Sequence, residues 1–224
     1  MSRDAYPFGP GKYVIPAGEN VKKALSRNDI EKLKAYQPLP GTMEQRGLDL
    51  WLFSYYCNGM NITDICGLTW GQVNLKESKL CFVRQKTARS NKQNSITITA
   101  YLNPQTLATI ERWGTKDRQP NKYVFPFLST ELEGEILTPQ RKKFIVQQVI
   151  KLTNKWVNRI AESLGIDVDV TSYTARHTYA TILLKSNAPL SMISKSLGHT
   201  NLKTTESYLG SFDDEEAKAF LSAL

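Results

Sequence analysis

A long amphipathic segment, residues 138–165, is the feature that most constrains how this chain can fold. Apolar residues recur along it at helical spacing and keep to one face: Ile145, Val149, Leu152, Trp156 and Ile160. Thr138 is a good N-cap, Pro139 suits the first helical position, and Gly165 can end the helix. The spacing therefore predicts one long helix with a single buried face.

Shorter helical patterns occupy most of the remaining chain. Ser26, with Asp29 three residues later, opens a predicted helix that ends near Tyr36. A second helix is predicted to end at the turn Asn58–Gly59. Its apolar face holds Leu48, Trp51, Leu52 and Tyr55. Further helices are predicted over residues 104–113, 174–185, 189–197, 201–208 and 213–224.

A change to alternating hydrophobicity marks the sheet. KLCFVRQK begins at Lys79, a polar stretch TARSNKQN follows, and SITITAYL then alternates apolar and polar residues. This pattern predicts a β-hairpin with a long polar tip, and a further short strand is predicted over Tyr123–Phe125. The sequence thus indicates an α+β fold, mostly helical, with one small antiparallel sheet.

Composition limits the class of protein. The 224 residues include 29 Lys and Arg against 21 Asp and Glu, and the net charge of +8 suits a polyanion partner or simply a lysine-rich surface. Three cysteines without CxxC spacing and two histidines argue against structural zinc and against a disulfide framework. No apolar run reaches the roughly 18 residues that a membrane-spanning helix needs, so we expect a cytoplasmic protein.

Both histidines fall in the stretch that ends at Tyr208. His199 follows Gly198, a predicted left-handed helix cap, where two helix ends would hold the ring. A tyrosine that attacks a phosphodiester has a reference pKa near 10, so it needs a proton acceptor and a cationic pocket. Arginine suits that pocket, because its planar fork grips two phosphate oxygens. Taken alone, His199 and Tyr208 also fit ordinary capping and core roles.

Four sequence boxes, in order, resemble the tyrosine recombinase (phage integrase) family. TARHTYATILL and LGHTNLKTTESY are similar to its C-terminal motifs, H-x-x-R-H and LGH with a nucleophilic tyrosine nine residues later. YYCNGMNITDICGLTWGQV resembles the G-x-R-x-x-E box, and FVRQKT resembles the strand that bears the catalytic lysine. The resemblance runs from about Leu48 to Tyr208.

The resemblance implies a role for four catalytic residues. Arg176 would bind the scissile phosphate, and His199 would hydrogen-bond it or assist proton transfer. Tyr208 would attack the phosphorus and form a 3′-phosphotyrosyl link, while Lys86 would protonate the leaving 5′-hydroxyl. The family's reaction implies neither a metal nor ATP.

Two positions depart from the family pattern. Asn61 stands where the first arginine is usual, which places the chain in a subgroup lacking that residue, and Asp64 replaces the usual glutamate. Tyr173 replaces the histidine of H-x-x-R. Its phenol can still donate a hydrogen bond to a phosphate, and packing at a helix start is the alternative interpretation. We interpret His177 as structural.

Strand geometry suggests a replacement for the missing cation. Arg84 and Lys86 are two residues apart, so both side chains would leave one face if the strand continued to the turn. Arg84 is therefore the first hypothesis, and Arg89 is the second. An ordinary solvent-facing role for Arg84 stays open.

Other basic residues are candidates for contacts that position DNA without reading its sequence. They are Arg89, Lys92, Lys116, Arg141, Lys142 and Lys143. A merely solvated surface is the alternative interpretation for each.

The expected organisation has three parts. Residues 1–25 would be a linker or N-terminal arm, 26–212 the catalytic domain, and 213–224 a C-terminal helix that could exchange between protomers. The resemblance implies double-stranded DNA and other recombinase protomers, in a synaptic tetramer, as partners. Because family members normally carry a further N-terminal domain, we expect this chain alone to bind DNA weakly as a monomer. The alternative function is a DNA-binding protein of the same fold that no longer cuts.

Overall fold

The computed structural model describes residues 24–85, 96–129, 137–199 and 201–206. In these ranges the helices are α1 Arg27–Ala35, α2 Met43–Tyr56, α3 Ile62–Cys66, α4 Pro104–Trp113, α5 Pro139–Ser163, α6 Ser172–Lys185, α7 Leu190–Leu197 and α8 Leu202–Glu206. The strands are β1 Val73–Asn74, β2 Lys79–Val83 and β3 Thr97–Tyr101. The predicted mostly helical α+β class is confirmed.

The sheet is antiparallel in the order β1-β2-β3. Strands β2 and β3 pair from Lys79 opposite Tyr101 to Val83 opposite Thr97, as the alternating pattern predicts. Alternate residues of β2 and β3 are buried, and they form the inner face: Leu80, Phe82, Ile98 and Ala100. The two-residue strand β1 was not predicted, because it is too short to show a period.

Helix α2 lies between two hydrophobic cores. Leu50 and Phe53 pack in the core beneath the sheet, whereas Trp51 and Leu52 pack in a second core with α1 and the C-terminal half of α5. The Trp51 indole donates a hydrogen bond to the carbonyl of Thr171, 2.8 Å away. The central helix thereby fixes the start of α6, which carries the basic site residue Arg176.

The long helix α5 is confirmed, but its buried face is rotated from the predicted one. Its buried residues are Val146, Thr153, Val157, Ile160 and Ala161, whereas four of the five predicted residues are only partly buried. Close packing on α2 explains the rotation, because a Cβ on Gly47 would stand 2.8 Å from the Cβ of Trp156 and 3.6 Å from the Thr153 carbonyl.

Two smaller predictions need correction. The predicted strand at Tyr123–Phe125 is absent from the described residues, since Tyr123 forms only an isolated bridge with Thr69. The Val124 backbone is instead held on both sides, by Leu68 and by Thr115, both at 2.8 Å. Helix α6 begins at Ser172 rather than Thr174, because Thr171 and Thr174 form a capping box.

Both predicted terminal segments fall largely outside the described residues. Residues 1–23 and 207–224 are not among them, so the N-terminal arm and the C-terminal helix stay predictions. Leu25 is described and is buried, and its backbone N–H bonds the Thr178 hydroxyl at 3.0 Å. No helix in the described ranges is long and apolar enough to cross a membrane.

Candidate active site

Arg176 is buried and held by three contacts. It lies on α6 with only 3% of its surface exposed. Its guanidinium donates to the backbone carbonyl of Gly59 at 3.1 Å and to that of Leu197 at 2.5 Å. Nη2 also contacts His199 Nε2 at 3.1 Å. These contacts use three of the five N–H donors of a guanidinium, which leaves Nε and one Nη1 hydrogen for a ligand.

The turn after α2 permits this close packing. Asn58 and Gly59 both have left-handed backbones, with φ of 58° and 63°. A Cβ on Gly59 would stand 2.6 Å from the Arg176 Cα, so the position requires glycine. Asn58 links the turn to its neighbours, because it accepts from the Tyr179 hydroxyl at 3.1 Å and donates to the Thr99 carbonyl at 2.9 Å. The predicted Asn58–Gly59 helix end thus also supports the site.

His199 lies between α7 and α8. Gly198 ends α7 with φ of 64°, as the sequence predicts, and turns the chain so that the imidazole faces Arg176. The other ring nitrogen, Nδ1, lies 2.8 Å from the Thr205 hydroxyl. Burial, together with the positive charges of Arg176 and Arg84, lowers the pKa of His199 to about 4. The ring is therefore neutral at pH 7.

Arg84 reaches the same site from the hairpin. Its Cδ lies 3.3 Å from the point where a Cβ of Gly198 would stand, and its charge lowers the pKa values of His199 and Asp64. The expected strand geometry is wrong, however, because β2 ends at Val83 and Gln85 already has a helical backbone. Arg84 approaches the site because the chain turns there.

Asp64 connects α3 to the end of this strand. Its buried carboxylate accepts the Gln85 backbone N–H at 2.9 Å. Burial raises the pKa of Asp64, while the Gln85 hydrogen bond, Arg84, the Asn61 side chain and Arg176 oppose that rise. Asn61, the residue before α3, is therefore engaged with Asp64 and brings no positive charge.

Helix α6 presents two further predicted residues. Tyr173 is 41% exposed in its first turn, three residues before Arg176, so the two lie on neighbouring parts of one helix surface. His177 is half-buried on the same helix. Their supporting and structural roles stay predictions.

The basic residues of α5 lie at its first turns. Arg141 and Lys143 are exposed, and the Arg141 guanidinium lies 5.8 Å from the Phe144 ring centroid. Lys142 is half-buried and close enough to α3 that its charge lowers the pKa of Cys66. That pKa is nevertheless raised to about 12 by burial. Lys142 therefore lies near the end of α3.

Four predicted site residues lie outside the described residues: Lys86, Arg89, Lys92 and Tyr208. Lys86 directly follows Gln85, whose N–H Asp64 binds. Tyr208 comes two residues after the end of α8. Within the described ranges, no group of three or more His, Cys, Asp or Glu residues could hold a metal ion.

Sequence reasoning missed Thr205 and underrated Asp64. Thr205 is buried in an exposed, polar stretch, and the sequence offers only the doubled threonine as a signal. Asp64 was noted only as a replacement for glutamate. Its hydrogen bond to Gln85 spans 21 residues, so it depends on how the hairpin packs on α3.

Comparison with known proteins identifies the relatives of the chain. The model of the phage integrase family matches residues 23–215. The tyrosine recombinase XerD of Lacticaseibacillus casei is 30% identical over 200 residues, which cover 85% of this chain and 59% of that protein. XerD of Pseudomonas putida is 28% identical over 192 residues, covering 85% and 58%. The chain thus spans less than two thirds of the length of these relatives.

Solved structures show the same fold. The Tn1549 transposon integrase in complex with transposon right end DNA superposes with a TM-score of 0.60 at 15% identity, over 95% of this chain and 68% of that one. The XerA recombinase gives a TM-score of 0.57 at 18% identity, over 93% and 66%. Because the family model covers most of the sequence, this chain belongs to the phage integrase family.

Proposed function

We propose that this chain is the catalytic domain of a site-specific DNA recombinase, which cleaves and rejoins strands through a 3′-phosphotyrosyl intermediate. The observation that carries the proposal is the approach of two guanidinium groups, Arg176 and Arg84, to the neutral ring of His199. The lowered pKa of His199 reflects burial and a positive potential, and such a place binds a phosphate anion favourably.

Arg176 has the geometry of a phosphate ligand. Backbone carbonyls fix two of its N–H groups, so the remaining donors are held in a constant direction. Preorganised donors of this kind stabilise the charge that develops on a phosphate oxygen without reorganising during the reaction.

Arg84 supplies the second cation in this proposal. The family's usual first arginine is replaced by Asn61, whose amide is engaged with Asp64. Arg84 lies next to Gly198, and its positive charge acts to lower the pKa values of both His199 and Asp64. It can therefore restore the charge that Asn61 lacks. Arg89 is the second candidate.

The remaining chemistry is assigned to Tyr208, Lys86 and Tyr173. The Tyr208 hydroxyl attacks the scissile phosphorus, the bond to the 5′ oxygen breaks, and Lys86 protonates that leaving oxygen. A 5′-hydroxyl of another strand reverses the step and rejoins the DNA. Tyr173, exposed near Arg176, donates a supporting hydrogen bond to a phosphate oxygen.

Double-stranded DNA and further protomers are the proposed partners. Arg89, Lys92, Arg141, Lys142 and Lys143 would hold the DNA backbone, and a synaptic tetramer would bring two sites together. Solved relatives include the Tn1549 integrase with its transposon end DNA and the XerH recombinase with difH substrate. Because the proposed substrate is DNA, we propose that the protein acts in the cytoplasm.

Covalent trapping tests this function. The protein is incubated with nicked duplexes from candidate element ends, denatured with detergent and examined for a DNA-linked band. We expect a band that Tyr208→Phe abolishes, whereas Tyr101→Phe, on the exposed sheet edge, leaves it intact.

A second candidate function is DNA binding without cleavage, which Asn61 favours because it removes one cation from the pocket. Duplex binding is therefore measured beside trapping. Tight binding without a covalent band would support this second function and overturn the first.

The role of Arg84 has its own test. Arg84→Ala should reduce trapping, and adding Asn61→Arg to that variant should recover part of the loss. The assignment fails if Arg84→Ala traps DNA as well as the parent while Asn61→Arg gives no gain.

A further inference from the structure

Two hydrogen bonds between the His199 ring and described residues indicate which ring nitrogen carries the proton. Nε2 lies 3.1 Å from Arg176 Nη2, and a guanidinium has donors but no acceptor. Nε2 must therefore accept in this contact. In a neutral ring the proton then resides on Nδ1, which donates to the Thr205 hydroxyl oxygen 2.8 Å away.

The opposite tautomer would place two donors against each other. If the Thr205 hydroxyl donated to Nδ1, the proton would sit on Nε2 and face the Arg176 N–H. A doubly protonated ring would meet the same conflict and would add a positive charge beside Arg176 and Arg84. The arrangement thus favours one protonation state of the ring.

The hydrogen bond between His199 and Thr205 is shielded from water, because Thr205 is buried. Thr205 is only 1% exposed and belongs to α8, the helix that leads to Tyr208. One bond therefore orients the imidazole and also ties that helix to the end of α7. Exposed hydroxyls exchange such bonds readily with water, whereas a buried one has little alternative.

We propose that Thr205 is a positioning residue: its hydroxyl accepts the Nδ1–H of His199 and, together with the Arg176 donor at Nε2, holds the Nδ1–H tautomer, so that the Nε2 lone pair faces the phosphate site as a proton acceptor. This inference rests on the proposed recombinase function and assigns His199 the proton-transfer role within it. When DNA binds, Arg176 keeps its proton, and its Nη2–H group donates to a phosphate oxygen in place of Nε2. The Tyr208 hydroxyl proton then passes to Nε2 as the bond from its oxygen to phosphorus forms.

The proton balance of this step is complete. Tyr208 loses its proton to His199, and the leaving 5′ oxygen receives one from Lys86. The resulting imidazolium keeps its Nδ1–H bond to Thr205. The charged groups of the described residues that face the ring are Arg176 of α6 and Arg84 after β2, and the bound phosphate offsets part of their positive charge.

Nitrogen-15 NMR of histidine-labelled protein without DNA tests the tautomer directly. The chain has only two histidines, and a His199→Gln sample identifies the signals of His199. We expect the parent at pH 7 to show a protonated Nδ1 and an unprotonated Nε2. Thr205→Val should lose this pattern, Thr205→Ser should keep it, and Thr204→Val, at the exposed neighbouring position, should match the parent.

Covalent trapping supplies the second measurement. Thr205→Val should lower the trapping rate roughly tenfold, about the effect of one hydrogen bond, whereas Thr205→Ser and Thr204→Val should stay near the parent. A protonated Nε2 in the parent, or an unchanged tautomer in Thr205→Val, overturns the inference even if the parent cleaves DNA. A parent that binds duplex DNA tightly but never traps it overturns the recombinase function instead, and the NMR result still decides the tautomer.

Discussion

The two arginines of the site are held in opposite ways. Arg176 lies inside a helix, nearly buried, with two N–H groups fixed by the carbonyls of Gly59 and Leu197. Arg84 lies one residue beyond the end of β2 and is half-buried. One cation belongs to the core and the other to the edge of a hairpin.

This difference indicates which cation the fold depends on. Removing Arg176 leaves two buried carbonyls without their donors, which costs stability as well as charge. Removing Arg84 takes charge from the site but leaves the cores intact. Function and stability should therefore be lost together at Arg176 and separately at Arg84.

The largest effect is expected for Arg176→Lys. Lysine keeps the charge but cannot reach both carbonyls with a planar fork, so trapping should fall by about 100-fold or more. The melting temperature should fall too, because buried acceptors lose their partners. Near-parent trapping by this variant would contradict the fixed role of the guanidinium.

Gly59→Ala should come next, because the added Cβ would stand 2.6 Å from the Arg176 Cα in a left-handed turn. We expect a loss of about 2–4 kcal/mol in the free energy of unfolding, measured by urea titration. Gly165→Ala is the matched control, since Gly165 also has positive φ but has no atom within 4 Å of its Cβ position. Equal losses in both variants would show that backbone strain, not contact with Arg176, is responsible.

Arg84→Ala should reduce DNA trapping without reducing the stability of the fold. We expect trapping to fall about 10- to 100-fold while the melting temperature changes by no more than about 2 °C. Arg118→Ala serves as the control. It removes an exposed arginine whose guanidinium carbon lies 4.9 Å from the Trp70 ring centroid, and it should keep full trapping. A large loss of stability in Arg84→Ala would show that the fold depends on Arg84 as it does on Arg176, and it would contradict the difference proposed between the two arginines.

The smallest effect concerns acid stability. The pKa of His199 is about 4 in the folded protein, below the reference value of about 6.5, so the folded state resists protonation. The stability that the neutral ring contributes is present above pH 6.5 and is lost as the pH falls toward 4. Relative to His199→Gln, the parent should lose roughly 1 kcal/mol between pH 7 and pH 5 after allowance for solvent screening.

The comparison with His199→Gln is needed because Asp64 acts in the opposite sense. Its raised pKa makes the folded state bind a proton more readily, so its contribution falls as pH rises. That contribution is common to both proteins and cancels. Parallel pH profiles for the parent and His199→Gln would show that the ring is not held neutral.

Patterns close in sequence predicted much of the fold. Alternation over SITITAYL predicted β3 and its partner, and local capping residues predicted the starts of α1 and α5. Most residues of the buried face of α5 lie one position after the predicted ones. The difference arises because Gly47 of α2 packs closely on this helix. The strand expected over Tyr123–Phe125 is absent from the described residues for a similar reason. The backbone of Val124 bonds the separate residues Leu68 and Thr115 and does not pair with a neighbouring strand.

The sequence by itself determined which residues are candidates for the proposed chemistry, because the motifs around Arg176, His199 and Tyr208 are short and keep their spacing. Only the tertiary structure decided how those residues are held. The contacts of Gly59 with Arg176, Arg84 with the Gly198 turn and Asp64 with Gln85 join segments distant in the chain. Such contacts follow from how helices and hairpin pack together, and no local pattern of residues encodes that packing.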